Sequence, residues 1–204
     1  MSDKSIYLAS RSPRRRELLR QIGITFEIVP LREAPRYPAD VDETPQAGET
    51  PDAYVLRVAR EKAQAAVTIT SVRRLALRPV LAADTTVVRD DTILGKPANA
   101  ADALRMLESL AGRAHRVLTA VAVTAGGAIE TRVSESQVWF RALTPEEIRR
   151  YVATGESTDK AGAYAVQGRA AAFITRIEGS YSGIMGLPLA ETAELLRSHG
   201  ISLP

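Results

Sequence analysis

The sequence contains no cysteine, which excludes disulfides, zinc–thiolate sites and a thiolate nucleophile. It holds only two histidines, His115 and His199, so a histidine-rich metal centre cannot be assembled within one chain. Aromatic residues make up only 5% of the 204 positions and no basic stripe runs along one element, which argues against a nucleic-acid partner. No run approaches the roughly 18 to 20 apolar residues that cross a bilayer. The N-terminus enters Ile6-Tyr7-Leu8-Ala9 without a long apolar leader, so a cytoplasmic location without a membrane partner is expected. Neither a G-x-x-x-x-G-K-[ST] loop nor a G-x-G-x-x-G fingerprint is present, and Gly179-Ser180-Tyr181-Ser182-Gly183 fails the glycine spacing of a nucleophile elbow. Chemistry in this chain must rest on carboxylates, amines, guanidiniums and hydroxyls.

Lysine is scarce too. Of 27 basic residues only Lys4, Lys62, Lys96 and Lys160 are lysine, which marks these positions as places where a compact point charge matters. A hydrophobic content of 45%, 25% charged residues and a formal charge of +3 are those of an ordinary globular protein compatible with anionic ligands. One domain over residues 1–204, with two lobes sharing a cleft, is expected.

The pattern alternates strands and helices. Ser5 to Ala9 reads as a buried strand, Ser12-Pro13 as the cap and first position of a helix to about Gln21, and Thr25 to Val29 as a second strand. Residues 30–50 lack periodicity and form a long loop of the functional kind. A helix from Thr50-Pro51 to about Val67 follows, with Tyr54, Val58 and Lys62 on neighbouring turns. Val80 to Val88 and Thr92 to Leu94 form a hairpin around an Asp-Asp turn, Asn99 caps a helix to about Leu110, and two long strands flank Gly126-Gly127. Thr144-Pro145-Glu146-Glu147 is a capping box opening a helix to about Thr154, and a last helix starts near Pro188. The fold class is therefore mixed α/β, two lobes around a central cleft.

Several groups could carry chemistry. In Ser10-Arg11-Ser12-Pro13-Arg14-Arg15-Arg16, free N–H groups at a helix start meet arginine forks that match phosphate oxygens, so Ser10, Arg14 and Arg15 are candidate phosphate contacts. The alternative is a solvated basic helix end. Asp84 follows the apolar run Val80 to Ala83 and sits where α/β strands end in ligand sites, able to hold a hard cation or orient water, with Thr85 as its hydroxyl neighbour. Glu43 is a second loop carboxylate, in competition with Glu33, Asp40 and Asp42. Lys62 and Lys96 can neutralise phosphates, or else are surface lysines. Tyr164 can offer an apolar face to a planar base and Gln167 a donor and acceptor for its edge, although tight packing explains the surrounding small residues equally well. His115, beside Arg113 and Arg116, reads as structural.

Taken together, the motifs Leu8-Ala9-Ser10-x-Ser12-Pro13-Arg14-Arg15-x-Glu17-Leu18-Leu19, Ala59-x-Glu61-Lys62-Ala63, Ala83-Asp84-Thr85-x-Val87, Gly95-Lys96-Pro97, Asp159-Lys160-Ala161-Gly162-Ala163-Tyr164, Gln167-Gly168 and Gly186-Leu187-Pro188 resemble the Maf family of nucleoside triphosphate pyrophosphatases, over essentially the whole chain. The resemblance implies a mixed-sheet fold similar to that of the inosine triphosphate pyrophosphatases, a divalent cofactor (Mg²⁺ or Mn²⁺), a nucleoside triphosphate as substrate, and a homodimer. By position Asp84 resembles the family's proton acceptor, Arg14 and Lys96 its phosphate contacts, Lys62 a further cleft cation, and Glu43 with Asp84 the metal carboxylates. Residues 161–168 and 179–182 are similar to the branch acting on dTTP and UTP, where positions matching Arg14, Thr85 and Gln167 are tied to substrate choice. The branch acting on 7-methyl-GTP, and a nucleotide-binding division protein with secondary catalysis, are the alternatives. Two departures stand out: the loop before Glu43 is longer than in many members, and Ala165-Val166 replaces a commoner Gly-Ile.

Overall fold

The computed structural model describes residues 5–32 and 38–203. The elements in chain order are β1 (Ile6–Leu8), α1 (Pro13–Gln21), β2 (Phe26–Ile28), α2 (Pro51–Val72), β3 (Val80–Arg89), β4 (Thr92–Leu94) and α3 (Ala100–Leu110). They continue with β5 (Ala114–Thr124), β6 (Glu130–Phe140), α4 (Pro145–Ala153), two short 3₁₀ turns (Ala161–Ala163, Arg169–Phe173), β7 (Ile174–Glu178), α5 (Tyr181–Met185) and α6 (Leu189–Ser198).

Local chemistry sets most helix starts. The side chains of Ser12, Asn99 and Thr144 accept from the N–H groups of Arg15, Asp102 and Glu147, with Glu147 returning the bond in a capping box. Helix α2 runs on to Val72, beyond the Val67 expected. Its β-branched end lowers helix propensity, but Thr68 and Thr70 donate back to the carbonyls of Gln64 and Val67 and Thr70 is buried, so packing overrides the local preference. Periodicity foretells neither β7 nor α5. The latter is a short helix in which Ser180 Oγ accepts from the N–H of Gly183. The hydroxyls of Ser180 and Ser182 thus serve helix starts, Ser182 accepting from the N–H of Leu189.

Among the described residues the sheet has seven strands in the order β2-β1-β3-β5-β6-β7, with β4 also paired to β3. Strand β1 is parallel to β2 and β3, and the other pairs are antiparallel, which makes the mixed sheet that the alternating pattern implies. Alternation along β3 distributes its side chains over three apolar clusters. Val80, Ala82 and Val88 pack with Leu118, Ala120 and Ala122 of β5 against α2. On the other face Leu81 and Ala83 join Val121, Val123, α1 and α6, whereas Val87 and Val117 join α3, α4 and Tyr164. These last two clusters are the cores of the two lobes. Between them the hydroxyls of Thr85 and Thr119 lie 3.0 Å apart, Thr119 also reaching the carbonyl of Gly183 at 2.8 Å.

The same boundary is marked by a break in the sheet. Strand β1 pairs with β3 only as far as Leu81, and β4 joins that edge at Val87, so among the described residues no strand covers 82–86 on this side. A cleft opens there and receives both Asp84 and Thr85, although successive residues of a strand point to opposite faces. No helix among the described residues is long and apolar enough to cross a membrane.

Candidate active site

The floor of the cleft is an ion triad drawn from three elements. Lys62, on α2, places Nζ 2.7 Å from Asp84 Oδ1 on β3 and 2.9 Å from Glu43 Oε1 on the preceding loop. Asp84 is 5% exposed, and the Glu43 side chain, at 41%, faces the opening. Burial alone would raise the Glu43 carboxyl, but the Lys62 ammonium, with Lys96 and Arg15 farther off, more than offsets it and holds the group below the usual carboxylate range. Two of the competing loop acids have partners of their own. Asp40 is taken by the backbone and guanidinium of Arg32, Asp42 at the rim accepts from the N–H of Thr44, and Glu33 lies outside the described residues.

One wall is the turn from β1 into α1. Arg15 donates from Nε to the carbonyl of Gly186 at 2.7 Å, from one terminal nitrogen to Thr85 Oγ1 at 3.1 Å, and from the other to Ser10 Oγ at 3.4 Å. A guanidinium fixed from three elements is a rigid cation, which suits it to hold an anion in one place. Arg14 also lines the cleft, half-buried, while Arg16 does not. Across the opening Lys96 follows Gly95, whose carbonyl accepts from the N–H of Gly162 at 3.1 Å, so the lysine loop is tied to the 160s segment. Lys160 pairs with Asp159 at the same rim.

The far end is more apolar. Tyr164 is 5% exposed and stacks edge-on with His115 and Phe140, at ring centroid distances of 5.4 and 4.9 Å. Its hydroxyl shares a 2.8 Å hydrogen bond with His115 Nε2. Gln167 stands exposed at the rim. His115 is the structural residue its neighbours suggested, and burial lowers its imidazole from the usual 6.5 to about 4. The folded state therefore binds fewer protons than the unfolded chain between those values, and stability falls as pH drops from 6.5 towards 4. The full loss from this group is about 3 kcal/mol by linkage. Urea midpoints across this range should show that loss, and His115→Asn, which keeps a partner for Tyr164, should flatten it. An unchanged pH slope in the variant would rule His115 out as the cause.

The cleft encloses about 820 Å³, a volume within the usual range for a small-molecule site. Ser10, Arg14, Arg15, Glu43, Lys62, Asp84, Thr85, Lys96, Tyr164 and Gln167, all singled out from the sequence, line this one cavity. Its lining carries seven basic and four acidic side chains, an excess of positive charge that suits a polyanion. Sequence reasoning missed Arg32 and Met185, and it quoted Gly186 only as part of a motif without a role at the site. No group of three or more His, Asp or Glu residues among those described could hold a metal alone. Glu43 and Asp84 instead converge on the Lys62 ammonium, and their oxygens are hard donors of the kind a divalent cation would take.

Fold and cleft together define a mixed α/β protein with a cationic pocket floored by two carboxylates. The family model described as "Maf-like protein" matches residues 5–199, and the chain belongs to that family. Among its relatives, the dTTP/UTP pyrophosphatase of Aromatoleum aromaticum is 57% identical, covering 97% of each chain. That of Nitrosomonas europaea is 55% identical over 97% of this chain and 96% of the relative. That of Dechloromonas aromatica is 53% identical over 96% and 97%. Among solved structures, that of the Staphylococcus aureus Ham1 protein is similar at 19% identity and a TM-score of 0.42, covering 66% of this chain and 69% of the other, too remote a likeness to bear on the site.

Proposed function

We propose that the protein is a nucleoside triphosphate pyrophosphatase that hydrolyses dTTP and UTP to the monophosphate and diphosphate. The observation that carries this reading is the Asp84–Lys62–Glu43 triad at the floor of a cleft walled by Arg14, Arg15 and Lys96. Relatives more than half identical over nearly their whole length and named dTTP/UTP pyrophosphatases supply the substrate class.

In this reading Asp84 accepts a proton from a water molecule whose oxygen bonds to the α-phosphorus, and the bond from that phosphorus to the α,β-bridging oxygen breaks. The diphosphate leaves with its developing charge offset by Lys62, Lys96 and Arg14. Mg²⁺ or Mn²⁺, held by Glu43 and Asp84 together with the substrate phosphates, would supply further charge neutralisation. Arg15 and Ser10 position the phosphate chain. The pyrimidine lies towards Tyr164, whose ring edge forms an apolar surface, with Gln167 reading the base edge and Thr85 and Arg14 contributing to substrate choice. Diphosphate release with Mg²⁺ or Mn²⁺ should be measured across dTTP, UTP, CTP, dATP, GTP and 7-methyl-GTP. Selective release from dTTP and UTP is expected. Release only from 7-methyl-GTP would overturn the pyrimidine assignment, and binding of nucleotide without turnover under either metal would overturn the enzymatic one.

A further inference from the structure

The loop that carries Glu43 has no regular secondary structure, yet α2 holds its backbone at three successive residues. Arg57 donates from one terminal nitrogen to the carbonyl of Asp42 and from the other to the carbonyl of Thr44, each at 3.0 Å. The hydroxyl of Tyr54, one turn earlier on the same helix, donates to the carbonyl of Glu43 at 3.0 Å. Glu49 aims the guanidinium in turn, accepting from Nε at 2.7 Å and from a terminal nitrogen at 2.9 Å, while Glu61 takes a further N–H at 3.3 Å. All five N–H groups of Arg57 are thereby engaged, the cation lies 5.6 Å from the Tyr54 ring centroid, and its side chain is only 17% exposed.

We propose that Arg57, seated on Tyr54 and aimed by Glu49, is a positioning residue that fixes the Glu43 carboxylate against Lys62 and Asp84 before substrate arrives. Glu49 closes the loop from its far end and the carbonyls of 42 and 44 close it from the near end, so one planar cation ties both ends to α2. That helix also carries Lys62, so the spacing of Glu43 and Lys62 is set by one element, while β3 supplies Asp84. A loop glutamate whose side chain is 41% exposed would otherwise sample many rotamers, and ordering it in advance is what a preorganised charge site requires. Lysine cannot replace the fork, because an ammonium lacks the planar array that serves two carbonyls and a carboxylate at once.

The role assigned to Glu43 rests on the pyrophosphatase reading, so the test has one arm that does not need turnover. In nucleotide-free protein, Arg57→Lys should speed amide hydrogen exchange across residues 42–48 by at least about tenfold while leaving α2 protected. Glu49→Gln, a milder change that keeps the arginine, should act in the same direction. Arg60→Lys, an exposed change elsewhere on α2, should leave exchange and turnover unaltered. In diphosphate release from dTTP, Arg57→Lys should lower kcat by about 10- to 100-fold, and adding Glu43→Gln should cause little further loss, because both changes remove the same carboxylate from its place. Unchanged loop exchange, or losses that multiply in the double variant, would overturn the proposal. Absence of turnover in the wild-type protein would instead overturn the functional reading, and the exchange arm would then decide the clamp alone.

Discussion

Asp84→Asn is expected to lower diphosphate release from dTTP by about 10²- to 10⁴-fold, the range for loss of a positioned general base. The substitution preserves size, and its amide oxygen can still face Lys62 Nζ from the position that Asp84 Oδ1 occupies at 2.7 Å. Lys62 keeps Glu43 as a charged partner at 2.9 Å, so the cation is not stranded and the fold should survive. The loss should therefore fall on kcat, with the KM for dTTP changed little, since the proposed phosphate contacts Arg14, Arg15 and Lys96 are untouched by the change. Steady-state kinetics alongside a urea midpoint separates the two effects. Turnover at the wild-type rate would remove Asp84 from the mechanism, and a collapsed midpoint would assign it to folding instead.

The second large effect is expected at Gly162. This residue has φ +65°, and a Cβ there would lie 2.8 to 2.9 Å from all three side-chain carbons of Val87. Val87 is 3% exposed and β-branched, so it has little freedom to give way. Left-handed backbone costs an L-residue about 1–2 kcal/mol and overpacking about 1–3, so Gly162→Ala should destabilise by roughly 2–5 kcal/mol. For a chain of this size the melting temperature should fall by roughly 5–15 °C. Because the N–H of Gly162 donates to the carbonyl of Gly95, displacement of this segment also moves Lys96, and the KM for dTTP should rise with it. Pairing the change with Val87→Ala should restore part of the stability, since it relieves the contact but not the backbone. A melting temperature within about 2 °C of wild type would show that the segment is looser than its packing implies.

How legible the molecule is from its residues depends on how local the determining chemistry is. The starts of α1, α3 and α4 follow from Ser12, Asn99 and Thr144, because a cap is a contact between residues three apart. The end of α2 is not legible, because burial of Thr70 decides it. Nor is α5, a short helix with Gly183 inside it and no period to read. The lysine bias proves informative: Lys62, Lys96 and Lys160 all line the cleft, and Lys4 lies outside the described residues. What the sequence could not disclose is that residues 43, 62 and 84 form one chain of contacts, since they come from a loop, a helix and a strand. Arg57 escapes for a related reason. Four residues before Glu61 on a helix, it looks like half of an ordinary surface ion pair, and only the fold brings the carbonyls of Asp42 and Thr44 to its fork.

The uncovered stretch of β3 at residues 82–86 has a consequence for solubility. Bare strand edges are templates for pairing with other chains, and proteins ordinarily blunt them with charge, proline or brevity. Here the bare stretch is bounded by β1 on one side and β4 on the other, and it lies inside a cleft where Asp84 and its Lys62 partner sit. A foreign strand would find too short a run and a buried ion pair in its path. The stretch is thus open to small solutes within the cleft yet too short and too enclosed to suit a neighbouring strand.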